Sequence, residues 1–233
     1  MTTFGMFVKA PEPGRVKTRL AATIGDTNAA ALYRAFLCDL IERFRRTGDR
    51  RVLAYSPADG STCEFFEQLA AGDFEQWPQP VADLGTRMQR FFETFGPEPV
   101  VLIGSDSPTL PAEFPVAAME MLQRADVVLG PATDGGLYLI GLNQRRRTWP
   151  IFDGIDWSTS RVLLQVSQRL AAEQARVELL PPWYDIDEPA DLDFLRGHLS
   201  ALRFPDAAPL SDSAATRAAL ELLPGLDVLA GGR

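Results

Sequence analysis

The chain has 233 residues, 46% of them apolar, and a formal net charge of −8. That length and apolar content suit one large α/β domain, or one domain with a modest addition. The acidic balance argues against a general nucleic-acid surface, which needs a broad basic face, but leaves room for a small phosphorylated ligand met by local cations.

Phe4 to Val8 reads as a short buried strand, and a basic loop runs on from it: Lys9-Ala10-Pro11-Glu12-Pro13-Gly14-Arg15-Val16-Lys17-Thr18-Arg19-Leu20. Lys17 and Arg19 are the best polyphosphate ligands, because lysine supplies a point charge and arginine can fork two oxygens. Lys9 and Arg15 add to the field, and Gly14 allows a tight turn beside the ligand. The loop is not a Walker A motif, which needs glycine directly before the lysine; here Arg15 and Val16 intervene. Pro11 and Pro13 also remove two backbone donors. The rival reading is a solvated loop whose charges only aid solubility.

Asp26 or Thr27 can cap a helix through about Arg46, with Leu32, Phe36, Leu40 and Phe44 four apart and Leu37 and Ile41 widening the stripe. Cys38 falls in this helix and reads as a small core residue. Cys38 and Cys63 set neither a metal spacing nor a disulfide scaffold. Arg51 to Tyr55 is the next strand, so the chain opens strand, helix, strand, as a mostly parallel sheet does. Cys63 to Ala70 reads as a short helix and Gly72 to Val81 as irregular. Leu84 to Phe95 is helical. Gly85 there permits close approach, Thr86 can cap, and Arg87 lies near an N-terminus that favours anions. A plain capped surface helix is the alternative.

Val100 to Ile103 forms an apolar run that ends in Gly104-Ser105-Asp106-Ser107-Pro108. A carboxylate at Asp106 stands where open α/β sheets bind ligands, and can hold Mg²⁺ or Mn²⁺ against a diphosphate. Capping of the next turn is its competing role. A helix over Glu113–Arg124 and a strand over Asp126–Gly130 follow. Asp134-Gly135-Gly136 offers an acid on a turn able to approach a sugar or base, or a bare turn, before the strand Leu137–Ile140. The segment from Arg145 to Asp156 reads as a loop. Trp149, Phe152, Trp157, Trp183 and Tyr184 line an acceptor pocket or belong to the core. Ser158 or Thr159 can cap a helix to about Ala172. After the strand Arg176–Leu180, Asp185 and Asp187 lie two apart and would share a face if extended. Asp187 is a second metal ligand or the cap of the helix that continues over Asp191–Ser200.

The tail beyond about Phe204 mixes prolines with a helix-like stretch, Ser213–Leu222. We expect a single domain over 1–204 and a C-terminal helical extension over 205–233. With His198 the only histidine, histidine-based triads and zinc sites are unsupported. No leader pattern and no long apolar run is visible, so a cytoplasmic protein without a membrane span is expected.

Five motifs in order resemble the DUF2064 family of glycosyltransferase-like bacterial proteins. They are the N-terminal run from Phe7 to Leu20, Leu84-Gly85-Thr86-Arg87-Met88 with Ile103–Pro108, Gly130–Gly136, Phe152–Ser160, and Tyr184-Asp185-Ile186-Asp187. The resemblance covers roughly residues 4 to 196. It implies the GT-A (nucleotide-diphospho-sugar transferase) fold, a Rossmann-like three-layer α/β sandwich with a mostly parallel sheet. It is also similar to molybdenum-cofactor and phospholactate guanylyltransferases. Carried over, Lys17 and Arg19 match phosphate-binding cations, Asp106 the metal carboxylate and Asp187 a late metal-binding acid. The chain departs from a full Asp-X-Asp signature, since Ser105-Asp106-Ser107 supplies one carboxylate.

The expected catalytic set is Lys17, Asp106 and Asp134. The expected nucleotide-binding set is Lys9, Gly14, Arg15, Lys17, Arg19, Gly85 and Arg87, with Asp106 and Asp187 holding Mg²⁺ or Mn²⁺. The substrates are then a nucleoside triphosphate or nucleotide-sugar and a small phosphorylated or hydroxyl acceptor, without nucleic acid. Nucleotidyl transfer with pyrophosphate release ranks first, glycosyl transfer second, and an inactive nucleotide-binding protein third.

Overall fold

Alternation along the strands sets the architecture. In β1 (Thr3–Lys9), Phe4, Met6 and Val8 point to one face of the sheet, while Gly5 and Phe7 point to the other. The same alternation recurs in β2 (Arg50–Ser56), where Leu53 and Tyr55 oppose Val52 and Ala54, and in β4 (Val100–Ile103), where Val101 and Ile103 oppose Val100 and Leu102. Strands buried on both faces need a helical layer on each side. The computed structural model describes residues 1–143, 148–203 and 213–223. Within them α1 (Thr18–Ile24), α2 (Asp26–Phe44), α3 (Gly60–Ala70), α5 (Glu113–Met121), α7 (Pro189–Ala201) and α8 (Ala214–Glu221) contribute to one core, and α4 (Leu84–Phe95) and α6 (Val162–Ala172) to the other. The result is the expected three-layer α/β sandwich of GT-A type.

The remaining strands are β3 (Glu75–Pro78), β5 (Val127–Pro131), β6 (Leu137–Leu142) and β7 (Val177–Leu179). The sheet order is β3-β2-β1-β4-β6-β5-β7, with β6 antiparallel to both its neighbours and every other pairing parallel. The chain therefore winds outward from β1 to β3, then returns to β4 on the other side of β1. The carboxyl ends of β1 and β4 meet at this reversal, where loops leaving adjacent strands diverge and open a crevice. The basic loop leaves one of these ends and Gly104–Pro108 leaves the other.

Several local expectations are corrected. The basic loop is shorter than the sequence suggests, because α1 begins at Thr18 and carries Leu20 into the core. The Ala21-Ala22 pair favours helix there. Gly72–Val81 is not wholly irregular: Glu75–Pro78 adds the edge strand β3, which tolerates Pro78 because it lies at the sheet edge. Asp83, not Thr86, caps α4, its carboxylate accepting from the Thr86 N–H at 2.9 Å. Neither Ser158 nor Thr159 caps α6, which starts at Val162; the Thr159 hydroxyl instead donates to the Asp156 carbonyl in the preceding turn. Cys38 is only half-buried. The domain boundary expected at 204, the prolines of the tail and the start of the 145–156 loop lie outside the described residues. Among the described residues, no helix is long and apolar enough to cross a membrane.

The C-terminal helix is fastened by a buried acid. Both oxygens of Asp39, on α2, accept from the first N–H groups of α8: Ala215 at 3.0 Å and Thr216 at 2.8 Å. A helix N-terminus carries free N–H groups and partial positive charge, so a carboxylate from another helix serves as its cap. Asp39→Ala should cost about 2–3 kcal/mol, because it removes the two charge-assisted bonds that cap α8. Urea unfolding would check this, through a lower midpoint at unchanged slope.

Candidate active site

The crevice at the strand reversal is a cleft of about 730 Å³. At its centre lies Lys17. Its backbone is left-handed (φ 47°, ψ 42°) at the N-cap of α1, which turns the side chain inward under the rings of Tyr33 and Phe36, each centred 5.8 Å from Nζ. The side chain is 3% exposed, yet Nζ donates to Asp106 and, at 2.9 Å, to Asp187, whose side chains are 46% and 43% exposed. The cation is thus sunk in the wall while both carboxylates face the opening. Burial opposes the ammonium charge, but the two carboxylates outweigh it and hold the Lys17 pKa above its ordinary value.

Tyr33 joins the pieces. Its hydroxyl pairs with the Ser105 hydroxyl at 2.7 Å and accepts from the Lys9 N–H at 3.1 Å, so α2 braces the ends of both β1 and β4. Burial and then the nearby Asp106 charge push this phenol up to about 12, keeping it a neutral hydrogen-bonding post. On the far side, Ser107 donates to Asp185. Burial, followed by the charges of Asp106 and Asp134, raises the Asp185 carboxyl to about 7.

The expected residues do not all converge. Lys9, Arg15, Lys17, Arg19, Arg87, Asp106, Asp134 and Asp187 line the cleft. Arg15 pairs with Glu12 at 3.2 Å and Arg19 with Glu188 at 3.3 Å, both as exposed pairs that a phosphate can displace. Arg87 is aimed by its own bonds, from Nε to the Ala82 carbonyl at 2.7 Å and from Nη1 to Gln79 at 3.3 Å. Gly14 makes the expected turn (φ +77°) but does not line the cleft. Gly85 is also off the lining: a side chain there would meet the Trp157 indole nitrogen at 2.6 Å and the Phe152 carbonyl at 2.8 Å, so the close packing of α4 on that segment requires glycine. Asp187 is not the helix cap. Glu188 is the N-cap of α7, and Asp191, three residues on, completes the capping box, its carboxylate accepting from the N–H groups of Glu188 at 2.7 Å and Asp187 at 2.9 Å, while the Asp187 carboxylate pairs with Lys17.

Of the five aromatics, only Trp157 lines the cleft. Phe152 is buried against Phe92, while Trp183 and Tyr184 stack on each other and on the His198 side of α7. Sequence reading missed Tyr33, Gln79 and Ser158 as lining residues. Tyr33 was within reach, since it lies one turn before Leu37 on the apolar stripe of α2. Gln79 gave no signal. Gly135 is fixed by its surroundings: at φ +91° it lies against the Ser160 carbonyl, which any β-carbon would overlap, and its own carbonyl accepts from Leu163 at 2.9 Å. This docks the Asp134 turn on α6.

A divalent cation fits the donor set. Asp106 and Asp187 are hard oxygen donors already focused on one positive charge, and Mg²⁺ commonly takes one or two carboxylates with phosphate and water completing its shell. Among the described residues no group of three or more His, Cys, Asp or Glu is arranged to hold a metal by protein ligands alone.

The chain is similar in sequence and fold to known proteins. The model of the family described as "Uncharacterized protein conserved in bacteria (DUF2064)" matches residues 40–159, about half of the chain. A crystal structure of a protein from Desulfovibrio desulfuricans G20, provisionally named a nucleotide-diphospho-sugar transferase, is 32% identical with a TM-score of 0.81, covering 94% of this chain and 96% of that one. The 2-phospho-L-lactate guanylyltransferase of Methanopyrus kandleri is 35% identical over 91 residues, 39% of this chain and 46% of the relative; the match thus spans less than half of that curated protein's length. At 11% identity, the 4-diphosphocytidyl-2C-methyl-D-erythritol synthase of Anaerococcus prevotii shares the fold, with a TM-score of 0.58 over 85% of this chain and 96% of that one.

Proposed function

The chain belongs to the DUF2064 family, and we propose that it is a metal-dependent nucleotidyltransferase, moving a nucleoside monophosphate from a triphosphate to a small acceptor. One observation carries the reading: a buried lysine bracketed by two carboxylates, in a cleft ringed by four further cations, Lys9, Arg15, Arg19 and Arg87. Five positive charges beside two acids match a triphosphate that arrives with a divalent ion.

In the proposed reaction an acceptor oxygen forms a bond to the α-phosphorus, and the bond from that phosphorus to the bridging oxygen breaks. Pyrophosphate leaves with the electron pair. Lys17 and Arg19 bind the phosphates and stabilise the charge that grows on them, Lys17 from a buried position where such a contact is strong and Arg19 from the exposed rim. Asp106 and Asp187 would hold Mg²⁺ or Mn²⁺, which neutralises phosphate charge. Asp134, exposed at the opening, takes the acceptor proton. Arg87, aimed by Ala82 and Gln79, orients the donor.

The provisional name of the D. desulfuricans relative favours a second reading, glycosyl transfer from a nucleotide-sugar. The named activity of the M. kandleri relative favours the first. Incubation of the purified protein with Mn²⁺, the four triphosphates, nucleotide-sugars and an acceptor panel separates them. Acceptor-dependent pyrophosphate release is expected. Release of nucleoside diphosphate from a nucleotide-sugar, without pyrophosphate, overturns the proposal in favour of glycosyl transfer. Binding without turnover of either donor class leaves only a nucleotide-binding protein.

A further inference from the structure

Lys17 is held in place by more than its two carboxylates. Its backbone forms the left-handed N-cap of α1, its carbonyl accepts from the Ala21 N–H at 2.8 Å, and its side chain lies 3% exposed under Tyr33 and Phe36. The two acids are fixed independently of it. The Asp106 carbonyl accepts from the Ile186 N–H at 2.9 Å, which sets the segments carrying Asp106 and Asp187 side by side. Ser105, next to Asp106, is tied to Tyr33 at 2.7 Å, and the Asp187 N–H donates to Asp191 at 2.9 Å. The two carboxylates are therefore brought together by the backbone and not by the ammonium between them.

That ammonium and a divalent ion compete for the same partners. Two of the three Nζ donors go to Asp106 and Asp187. These carboxylates cannot take up a divalent ion without bringing two further positive charges beside Lys17, in a wall where water screens it poorly. A phosphate reverses the balance. Its negative charge offsets both cations, its oxygens add to the shell that two carboxylates leave incomplete, and the third Nζ donor can meet one of them. We propose that Lys17 is a resident counter-cation that keeps a free divalent ion off the Asp106–Asp187 pair, so that the ion enters together with the phosphates of the substrate. The inference rests on the metal-dependent transferase reading and adds an order of assembly to it.

Equilibrium dialysis of the full chain against Mn²⁺, with circular dichroism of each variant, tests this. Lys17→Met removes the charge and is expected to bind Mn²⁺ alone at least about tenfold more tightly than the unaltered protein, the scale of one relieved like-charge contact. Lys17→Gln is a second neutral variant with the same expected gain. Lys17→Arg keeps the charge and should stay within about threefold of the unaltered protein. Asp106→Asn in the Lys17→Met background should abolish the gain, which places the ion on the carboxylate pair. On the unaltered protein, inorganic tripolyphosphate at the same free Mn²⁺ should raise the retained metal at least about fivefold, the lower end of ordinary coupling between two ligands. Four results overturn the inference: neutral variants that bind Mn²⁺ no better, a gain shared by Lys17→Arg, a gain that survives Asp106→Asn, or an unaltered protein indifferent to tripolyphosphate. These readouts need no turnover. Failure of pyrophosphate release would sink the proposed reaction and leave the Mn²⁺ ranking standing, whereas unchanged Mn²⁺ affinity in the neutral variants would sink the inference and leave the reaction open.

Discussion

Lys17→Met is expected to lower kcat/KM for nucleotide turnover about 100- to 1000-fold, the usual effect of deleting a charge that meets the developing phosphate charge. Methionine keeps most of the stem under Tyr33 and Phe36, so the loss isolates the ammonium. Lys17→Arg should fail almost as badly. A planar fork cannot take the place of a point charge shared by two carboxylates in a pocket that leaves the side chain 3% exposed. Steady-state kinetics with circular dichroism on both variants checks this; native spectra with activity within a few-fold of the parent would remove Lys17 from the site.

The second large effect lies in the core behind β1. Phe91 on α4 packs edge-on against Phe7, Trp77 and Phe92, with ring centres 5.4–6.2 Å away, and is fully buried. Phe91→Ala should destabilise by about 3–5 kcal/mol through lost burial and the cavity left behind. Gly5 makes room for this ring, because a β-carbon at Gly5 would overlap it. Gly5→Ala should therefore cost about 1–3 kcal/mol by overpacking, and much of that cost should vanish when Phe91 is also alanine. Additive losses in a double-mutant unfolding cycle would show that the two positions do not compete for the same space.

Much of the fold was legible because buried strands and amphipathic helices write their periods into the sequence. Phe4–Val8, Val100–Ile103 and the α2 stripe are all apolar runs whose lengths and spacings decide their structure. The edge strand β3 was not legible, since its residues are polar or half-exposed and Pro78 argues against a strand. The boundary between the basic loop and α1 was hidden by the charges that make the loop conspicuous. In the candidate site, the cations and acids were visible as residue types at strand ends, and the strand reversal brings most of them to one cleft. What sequence could not give was pairing. That Asp187 pairs with Lys17, 170 residues away, or that Gly85 packs against Trp157, depends on contacts across elements far apart in the chain.

The grip on the C-terminal helix bears on where this chain can be cut. Arg43, one turn beyond Asp39 on α2, donates to the carbonyls of Pro108 and Leu110 and, at 2.8 Å, to the Ser213 hydroxyl. The same guanidinium thus touches both the segment that carries Asp106 and the residue that leads into α8. Trimming the protein at residue 204, where a reader of the sequence would stop, would strand the Asp39 carboxylate without the N–H groups of Ala215 and Thr216 and free one arm of Arg43. A shortened protein that proved inert would therefore say nothing about the chemistry of the cleft, and the full chain is the proper unit for assay and for crystals.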